Sequence, residues 1–172
     1  MENKKTLVLA SSNKNKIREI AEMFPDLNVA GYKDFGFTDE IDETGETFYE
    51  NALIKAKTVS ERLGLPALSD DSGLCVDALG GAPGVFSARY SGKGDEENIE
   101  LLLKNMRGVT ERGAHFHCAA VYYDNGKIIA AKGTVCGKIL YRREGNGGFG
   151  YDPVFYCTEL GKSFGTATES EK

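Results

Sequence analysis

Apolar and polar positions along the chain follow helical spacing in its first half and alternate or cluster in its second. Thr6-Leu7-Val8-Leu9-Ala10 is a short continuous apolar run, which predicts a buried strand. Ile17, Ile20, Ala21 and Phe24 then recur at i, i+3, i+4 and i+7, a helix face, and Pro25 stops it. A second helix is clearer: Phe48, Ala52, Ala56, Val59 and Leu63 form one stripe. Thr47 and Glu50 make a T-x-x-E capping box at its start, and Gly64 ends it. A third helix begins near Asp95, with Ile99, Leu102, Leu103 and Met106 on one face and Gly108 after it. Residues 114–123 and 127–136 flank Asp124-Asn125-Gly126, a hairpin signal. The last forty residues are glycine-rich and show no clear period. Strand–helix units followed by a β-rich half predict an α/β protein with a mixed sheet.

Composition narrows the class. The chain has 172 residues, 41% hydrophobic and 27% charged, which is ordinary for a globular protein. A chain of this length can bury roughly 70% of its unfolded surface, so it needs no disulfide or metal to fold. It fits one domain, or two small lobes sharing one core. No apolar run approaches the roughly 20 residues of a membrane span. The N-terminal MENKKTLVLASS is too short in its apolar part for a signal peptide. The net charge of −5 argues against general binding to nucleic acid or an anionic membrane. Cys75, Cys118, Cys136 and Cys157 contain no C-x-x-C pair, and read as buried free thiols of a cytoplasmic protein. Glycine is in excess, 21 of 172, or about 12% against roughly 7% on average.

Two segments carry candidate chemistry. Ser11-Ser12-Asn13-Lys14-Asn15-Lys16 opens the first helix, where free backbone N–H groups attract anions. Ser12 or Asn13 can cap it. Lys14 and Lys16 are disfavoured at that end by roughly 0.3–1 kcal/mol, a penalty that an anionic ligand would reverse. A solvated lysine pair on an ordinary helix start is the alternative. Farther on, Leu65-Pro66-Ala67-Leu68-Ser69 reads as a strand ending in Asp70-Asp71-Ser72-Gly73. Ligands of open α/β sheets bind beyond strand carboxyl ends. Two adjacent carboxylates there suit Mg²⁺. Water on such a cation is acidified, and a carboxylate can then take its proton. The same tetrapeptide also suits a plain turn. Lys55 flanks the second helix's apolar stripe and reaches along the sheet edge. The acidic stretch from Asp39 to Glu50 reads as a solvated loop.

Other signals are weaker. Gly145-Asn146-Gly147-Gly148-Phe149-Gly150 matches G-x-G-x-x-G, but Tyr151-Asp152-Pro153 follows at once where a dinucleotide site needs a helix. His115 and His117 share one strand face, too few for zinc. Glu96, Glu97, Glu100, Lys104, Arg107 and Arg112 read as a solvated helix face. No serine or cysteine sits in a nucleophile elbow.

Together the segments resemble the inosine/xanthosine triphosphate pyrophosphatase family, also termed Ham1-like. The matches are Ser11-x-Asn13-x-x-Lys16, ETGETFYENALIKA from Glu43 to Ala56, LSDDSGLCVDALGGAPGVFSARYSG from Leu68 to Gly92, and GFGYDPVF from Gly148 to Phe155. They cover nearly the whole chain in family order. The resemblance implies a single ITPase-like domain over residues 1–172, with an elongated mixed sheet, flanking helices and two lobes around a substrate cleft. It implies Mg²⁺-dependent hydrolysis of ITP, dITP or XTP to the monophosphate and pyrophosphate by a cytoplasmic homodimer. By position, Asp71 matches the general base and a metal ligand, Asp70 its acidic neighbour, and Glu43 the other metal carboxylate. Ser11, Asn13, Lys16 and Lys55 match triphosphate contacts, and Ser72 a nearby substrate contact. Phe149, Gly150, Tyr151 and Asp152 match the base-pocket loop. Arg89 lies in the SARYSG stretch, where a substrate role is open.

SFGTATESEK resembles the family's T-F-A-E-L-S-x-E-E-K, so Lys172 matches a substrate-binding lysine, while Gly165, Thr166 and Ala167 depart from it. Family members continue into a base-reading Ser-His-Arg motif and a final helix, so a chain truncated at Lys172 is expected. Two alternatives stay open at this point. One is a nucleotide-binding protein with impaired catalysis for lack of that segment. The other is a Maf-like pyrophosphatase acting on pyrimidine or modified nucleotides, which the GFGYDP loop fits less well.

Overall fold

The computed structural model describes residues 4–172, with every side chain among them except that of Asn15. Residues 1–3, part of the N-terminal stretch read above against a signal peptide, lie outside the described residues. In chain order the elements are β1 (Lys5–Leu9), α1 (Lys14–Met23), β2 (Leu27–Gly31), α2 (Phe48–Leu63) and β3 (Ala67–Val76). Then follow α3 (Asp95–Asn105), β4 (Gly113–Asp124), β5 (Lys127–Ile139), β6 (Phe155–Cys157) and β7 (Lys162–Ser163). Strand order is β2-β1-β3-β4-β5-β6-β7. β1 runs parallel to β2 and β3, with Val8 opposite Ala30 and Ala67. β6 is antiparallel to β5 and β7. The mixed sheet with flanking helices is the predicted α/β class. The chain divides into two compact units, residues 1–71 with 119–132 and residues 72–118 with 133–172.

In the first unit β1 lies between two parallel strands, and Val8 and Leu9 are buried as its unbroken apolar run requires. α1 starts where predicted: Asn13 Oδ1 accepts the Lys16 N–H at 3.3 Å, so Asn13 is the cap. α2 shows both halves of its capping box, Glu50 N–H to Thr47 Oγ1 and Thr47 N–H to Glu50 Oε2. Gly64 closes it in the left-handed conformation. Ala52, Ala56 and Val59 are fully buried, and the Ser69 hydroxyl ties β3 to the helix at the Ala52 carbonyl. Small side chains on that stripe let α2 approach the sheet closely. The β4–β5 hairpin turns at Asn125 (φ 47°) and Gly126 (φ 85°), the two positive-φ positions of a type I′ turn.

The second unit has its own core, with Leu74, Val76, Ile99, Leu102, Ile139, Val154 and Phe155 at its centre. The rings of Phe116, Phe155 and Phe164 pack on one another with centroids 4.7–5.8 Å apart. α3 buries Ile99 and Leu102 as its periodicity predicts. The glycine-rich end folds by loop-to-loop bonds rather than by periodic burial. Gly147 N–H donates to the Gly165 carbonyl and Glu144 N–H to that of Pro153, both at 2.8 Å.

Three expectations change. The Asp-Asp-Ser-Gly segment does not follow a strand; β3 continues through it to Val76, so both aspartates lie within the strand. The sequence there lacks β-branched residues, and tertiary pairing overrides the turn preference. Arg112 is not on a solvated helix face but is 8% exposed. Its Nε donates to the Ile139 carbonyl at 2.6 Å, its Nη1 to those of Met106 and Val109, and its Nη2 to that of Leu140. The guanidinium also lies 4.1 Å from the Tyr141 ring centre. Of the four cysteines only Cys157 is buried; Cys75 and Cys118 are partly buried and Cys136 is exposed.

Arg112 thus ties together four carbonyls from the turn after α3 and the end of β5. Arg112→Met should lower the unfolding free energy by about 2–4 kcal/mol in urea denaturation, because it removes four charge-assisted hydrogen bonds to backbone carbonyls. Arg112→Lys should recover less than half of that, since an ammonium cannot span the same fork of acceptors.

Candidate active site

In the first unit, α2 delivers Lys55 to a group of carboxylates. Lys55 Nζ lies 3.6 Å from Glu43 Oε2 and 3.9 Å from Asp71 Oδ1. It also donates to the Asp70 carbonyl at 2.7 Å. The Asp70 carboxylate goes elsewhere: Lys16 Nζ reaches both of its oxygens, at 2.9 and 2.8 Å. Successive strand residues point to opposite faces, so adjacency in sequence does not make Asp70 and Asp71 a chelating pair. The pair that faces Lys55 is Glu43 and Asp71. Among the described residues no three His, Cys, Asp or Glu side chains cluster as a metal site.

Asp71 is the perturbed group. Burial pushes its carboxyl above the ordinary range; Lys55 pulls it down, Glu43 pushes it up, the Asn51 amide lowers it and Asp70 raises it. Its Oδ2 is buried and completes no hydrogen bond. An orphaned carboxylate oxygen of this kind is what a hard cation or a reacting water takes up. Mg²⁺ is commonly held by one or two carboxylates together with substrate phosphates, so Glu43 and Asp71 fit it.

A cavity of about 350 Å³ beside this group is lined by Ser11, Ser12, Tyr32, Lys33, Glu43 and Lys55 among others. Ser11 Oγ accepts the Asn13 N–H at 3.1 Å, which fixes the turn into α1. Tyr32 and Lys33 were not singled out from the sequence. They follow β2, a strand without periodic signal, and only the parallel pairing of β2 with β1 brings them to Ser11.

The second unit has a separate cavity of about 340 Å³, within the usual range of ligand pockets. Its walls include Ser72, Phe149, Gly150, Tyr151, Asp152 and Lys172, all expected site residues. Asp95, Phe116 and Phe164 line it too; by sequence they fall at a helix start, in a hairpin strand and in the aperiodic end of the chain, none of which marks a site. Asp152 is the organiser: its carboxylate accepts the Phe149 N–H at 3.2 Å and Lys172 Nζ at 2.8 Å. Gly148, at φ +78°, has no room for a side chain, since a Cβ would strike the Asp152 carboxylate and the Lys172 ammonium. Asp95 accepts the Gly150 N–H at 3.1 Å, and Tyr151 donates to the Ser87 carbonyl at 2.8 Å. With its loop so tied, Phe149 stands 82% exposed. Arg89 lines neither cavity described; its guanidinium lies 5.1 Å from the Phe86 ring centre.

A helix start and lysine–carboxylate group suited to phosphates, together with an aromatic-walled cavity on one mixed sheet, define a nucleotide-handling α/β protein. The chain belongs to the Ham1 family, whose model matches residues 7–172. It is 46% identical to a dITP/XTP pyrophosphatase of Bacillus cereus, over all of this chain and 88% of that protein. It is 45% identical to the dITP/XTP pyrophosphatase of Salmonella paratyphi A, over 96% of this chain and 88% of that protein. The solved Ham1 protein of Staphylococcus aureus superposes with a TM-score of 0.93 at 40% identity, covering 98% of this chain and 89% of the other. A Mycobacterium abscessus structure described as a nucleoside-triphosphatase / dITP/XTP pyrophosphatase gives 0.86 at 34% identity, over 96% and 90%.

The raised pKa of Asp71 has a consequence for stability. An acid raised on folding costs the folded state wherever it is ionised, and the cost is relieved as pH falls through the folded pKa. Asp71→Asn should therefore melt a few degrees higher than the parent at pH 8. The difference should shrink as pH drops toward the ordinary carboxylate range, as read by calorimetry across pH 4–8.

Proposed function

We propose that the protein is a Mg²⁺-dependent pyrophosphohydrolase that cleaves ITP, dITP or XTP between the α and β phosphates. The products are the nucleoside monophosphate and pyrophosphate. The observation that carries this reading is the buried, unpaired Oδ2 of Asp71 beside Lys55 and Glu43. Membership of the Ham1 family and the names of the bacterial relatives support the substrate class.

In this reading Asp71 takes the proton of the attacking water, for which its raised pKa and free oxygen suit it. Lys55 stands beside it to offset negative charge as the transition state forms. Lys16 exchanges Asp70 for a phosphate oxygen, and the Ser11 hydroxyl and the N–H groups that open α1 orient the phosphate chain. Glu43 and Asp71 would hold Mg²⁺, which supplies charge neutralisation and acidifies bound water. In the second unit the exposed ring of Phe149 stacks on the base, worth roughly 1–3 kcal/mol. Lys172, Ser72 and the Gly150–Asp152 backbone complete that end. We take residues 1–172 to act as one ITPase-like domain, as a cytoplasmic homodimer, and light scattering tests the dimer.

With ITP and Mg²⁺, inosine monophosphate and pyrophosphate should appear in equal amounts; release of orthophosphate would overturn α–β cleavage. Initial rates should rank ITP and XTP far above GTP and dUTP. Asp71→Asn should bind nucleotide normally yet turn over at least a hundredfold more slowly, as expected for loss of a general base. Turnover at the parent rate would remove Asp71 from that role.

A further inference from the structure

The first turn of α3 carries more side-chain bonds than a helix start needs. Its cap is Gly94, which has no side chain to offer, and Asp95, Glu96 and Glu97 already suit the positive end of the helix dipole. Yet three side chains of this turn bond to segments distant from it. Asp95 accepts the Gly150 N–H at 3.1 Å. Glu96 pairs with Arg143, just before the glycine-rich stretch. Asn98, three residues after Asp95 and 2% exposed, turns to a different segment.

The Asn98 amide is fully used. Its Oδ1 accepts the N–H and the hydroxyl of Ser91, both at 2.7 Å. Its Nδ2 donates to the carbonyls of Ser87 at 3.4 Å and Ala88 at 3.2 Å. Those bonds take up both acceptor sites and both donor hydrogens of an asparagine side chain. A buried polar network with every member satisfied rigidifies the segments it joins. Ser87 and Ala88 are walls of the cavity of about 340 Å³, as are Asp95, Gly150 and Tyr151. The Ser87 carbonyl also accepts the Tyr151 hydroxyl at 2.8 Å. One carbonyl thus joins the wall held by α3 to the loop that carries Phe149.

We propose that this turn is the positioning element of the cavity: Asn98 sets the Ser87–Ala88 wall, Asp95 sets the Gly150 backbone, and the Ser87 carbonyl locks both to Tyr151. The exposed ring of Phe149 takes its place from this frame, not from packing of its own. The use of the frame to hold a purine rests on the pyrophosphohydrolase reading; the frame itself does not.

The test follows ITP hydrolysis with Mg²⁺ well below every melting temperature. Loss of a frame that holds the base weakens ground and transition states alike, which raises KM and spares kcat. Asn98→Ala and Asp95→Ala should each raise KM at least about fivefold, with kcat within about threefold of the parent. Asp95→Asn should bring KM back to within about twofold, because its amide oxygen accepts the Gly150 N–H as the carboxylate does. Met106→Ala, which opens the same core at the far end of α3, should keep the parent KM. The chain has no tryptophan, so Phe149→Trp places a single reporter in the loop. The fluorescence anisotropy of that reporter should fall when it is combined with Asn98→Ala or Asp95→Ala, and hold with Asp95→Asn or Met106→Ala. The proposal is overturned if either alanine variant of the turn keeps the parent KM and anisotropy, if Asp95→Asn is no better than Asp95→Ala, or if Met106→Ala matches them. If Asn98→Ala does not fold, the two Asp95 variants decide. A parent that releases no pyrophosphate from ITP would sink the functional reading instead, and the anisotropy then decides the frame alone.

Discussion

The carboxylate group of the first unit depends on one ammonium. Lys55 has to sit within 4 Å of two carboxylates that would otherwise repel each other, and it is largely buried there. Its position is set by the helix below it. The Thr47–Glu50 capping box fixes where α2 begins, and the Ser69 hydroxyl bonds to the Ala52 carbonyl. Once those are set, residue 55 has no choice of side. A slip of one residue would carry Lys55 about 100° around the helix and away from Asp71.

The same arrangement puts function and stability in opposition. In the proposed reaction Asp71 serves as the base, a role its pKa, raised by burial and by Glu43, suits, and the folded state bears the cost of that ionised carboxylate. The ion pair of Lys16 and Asp70 joins the start of α1 to β3 across the first unit.

The second unit solves a different problem, that of holding an aromatic ring in water. Phe149 is left exposed because its neighbours are fixed on every side: Asp152 takes its N–H, Asp95 takes that of Gly150, and Tyr151 reaches the Ser87 carbonyl. Gly148 is the hinge of this packing, since only a residue without a side chain leaves space for the Asp152–Lys172 pair. Part of the glycine excess noticed in the composition, at Gly45, Gly137, Gly145, Gly148 and Gly165, lies where backbones or side chains meet this closely.

What the residues determined alone was everything short-range. The helix stripe of α2, its caps, the start of α3 and the Asn125-Gly126 turn all follow from interactions a few residues apart. So does the Asn13 cap that opens α1. What only the tertiary structure decided was partnership over distance. Lys16 finds Asp70 from 54 positions away. Arg112 leaves the expected solvated face for four buried carbonyls, and β3 runs on through a segment that locally prefers a turn. Tyr32 and Lys33 enter the site because strands pack together. The reason is physical: capping and periodicity are satisfied within one turn of chain, whereas a buried charge or amide takes whatever partner the packed sheet brings to it.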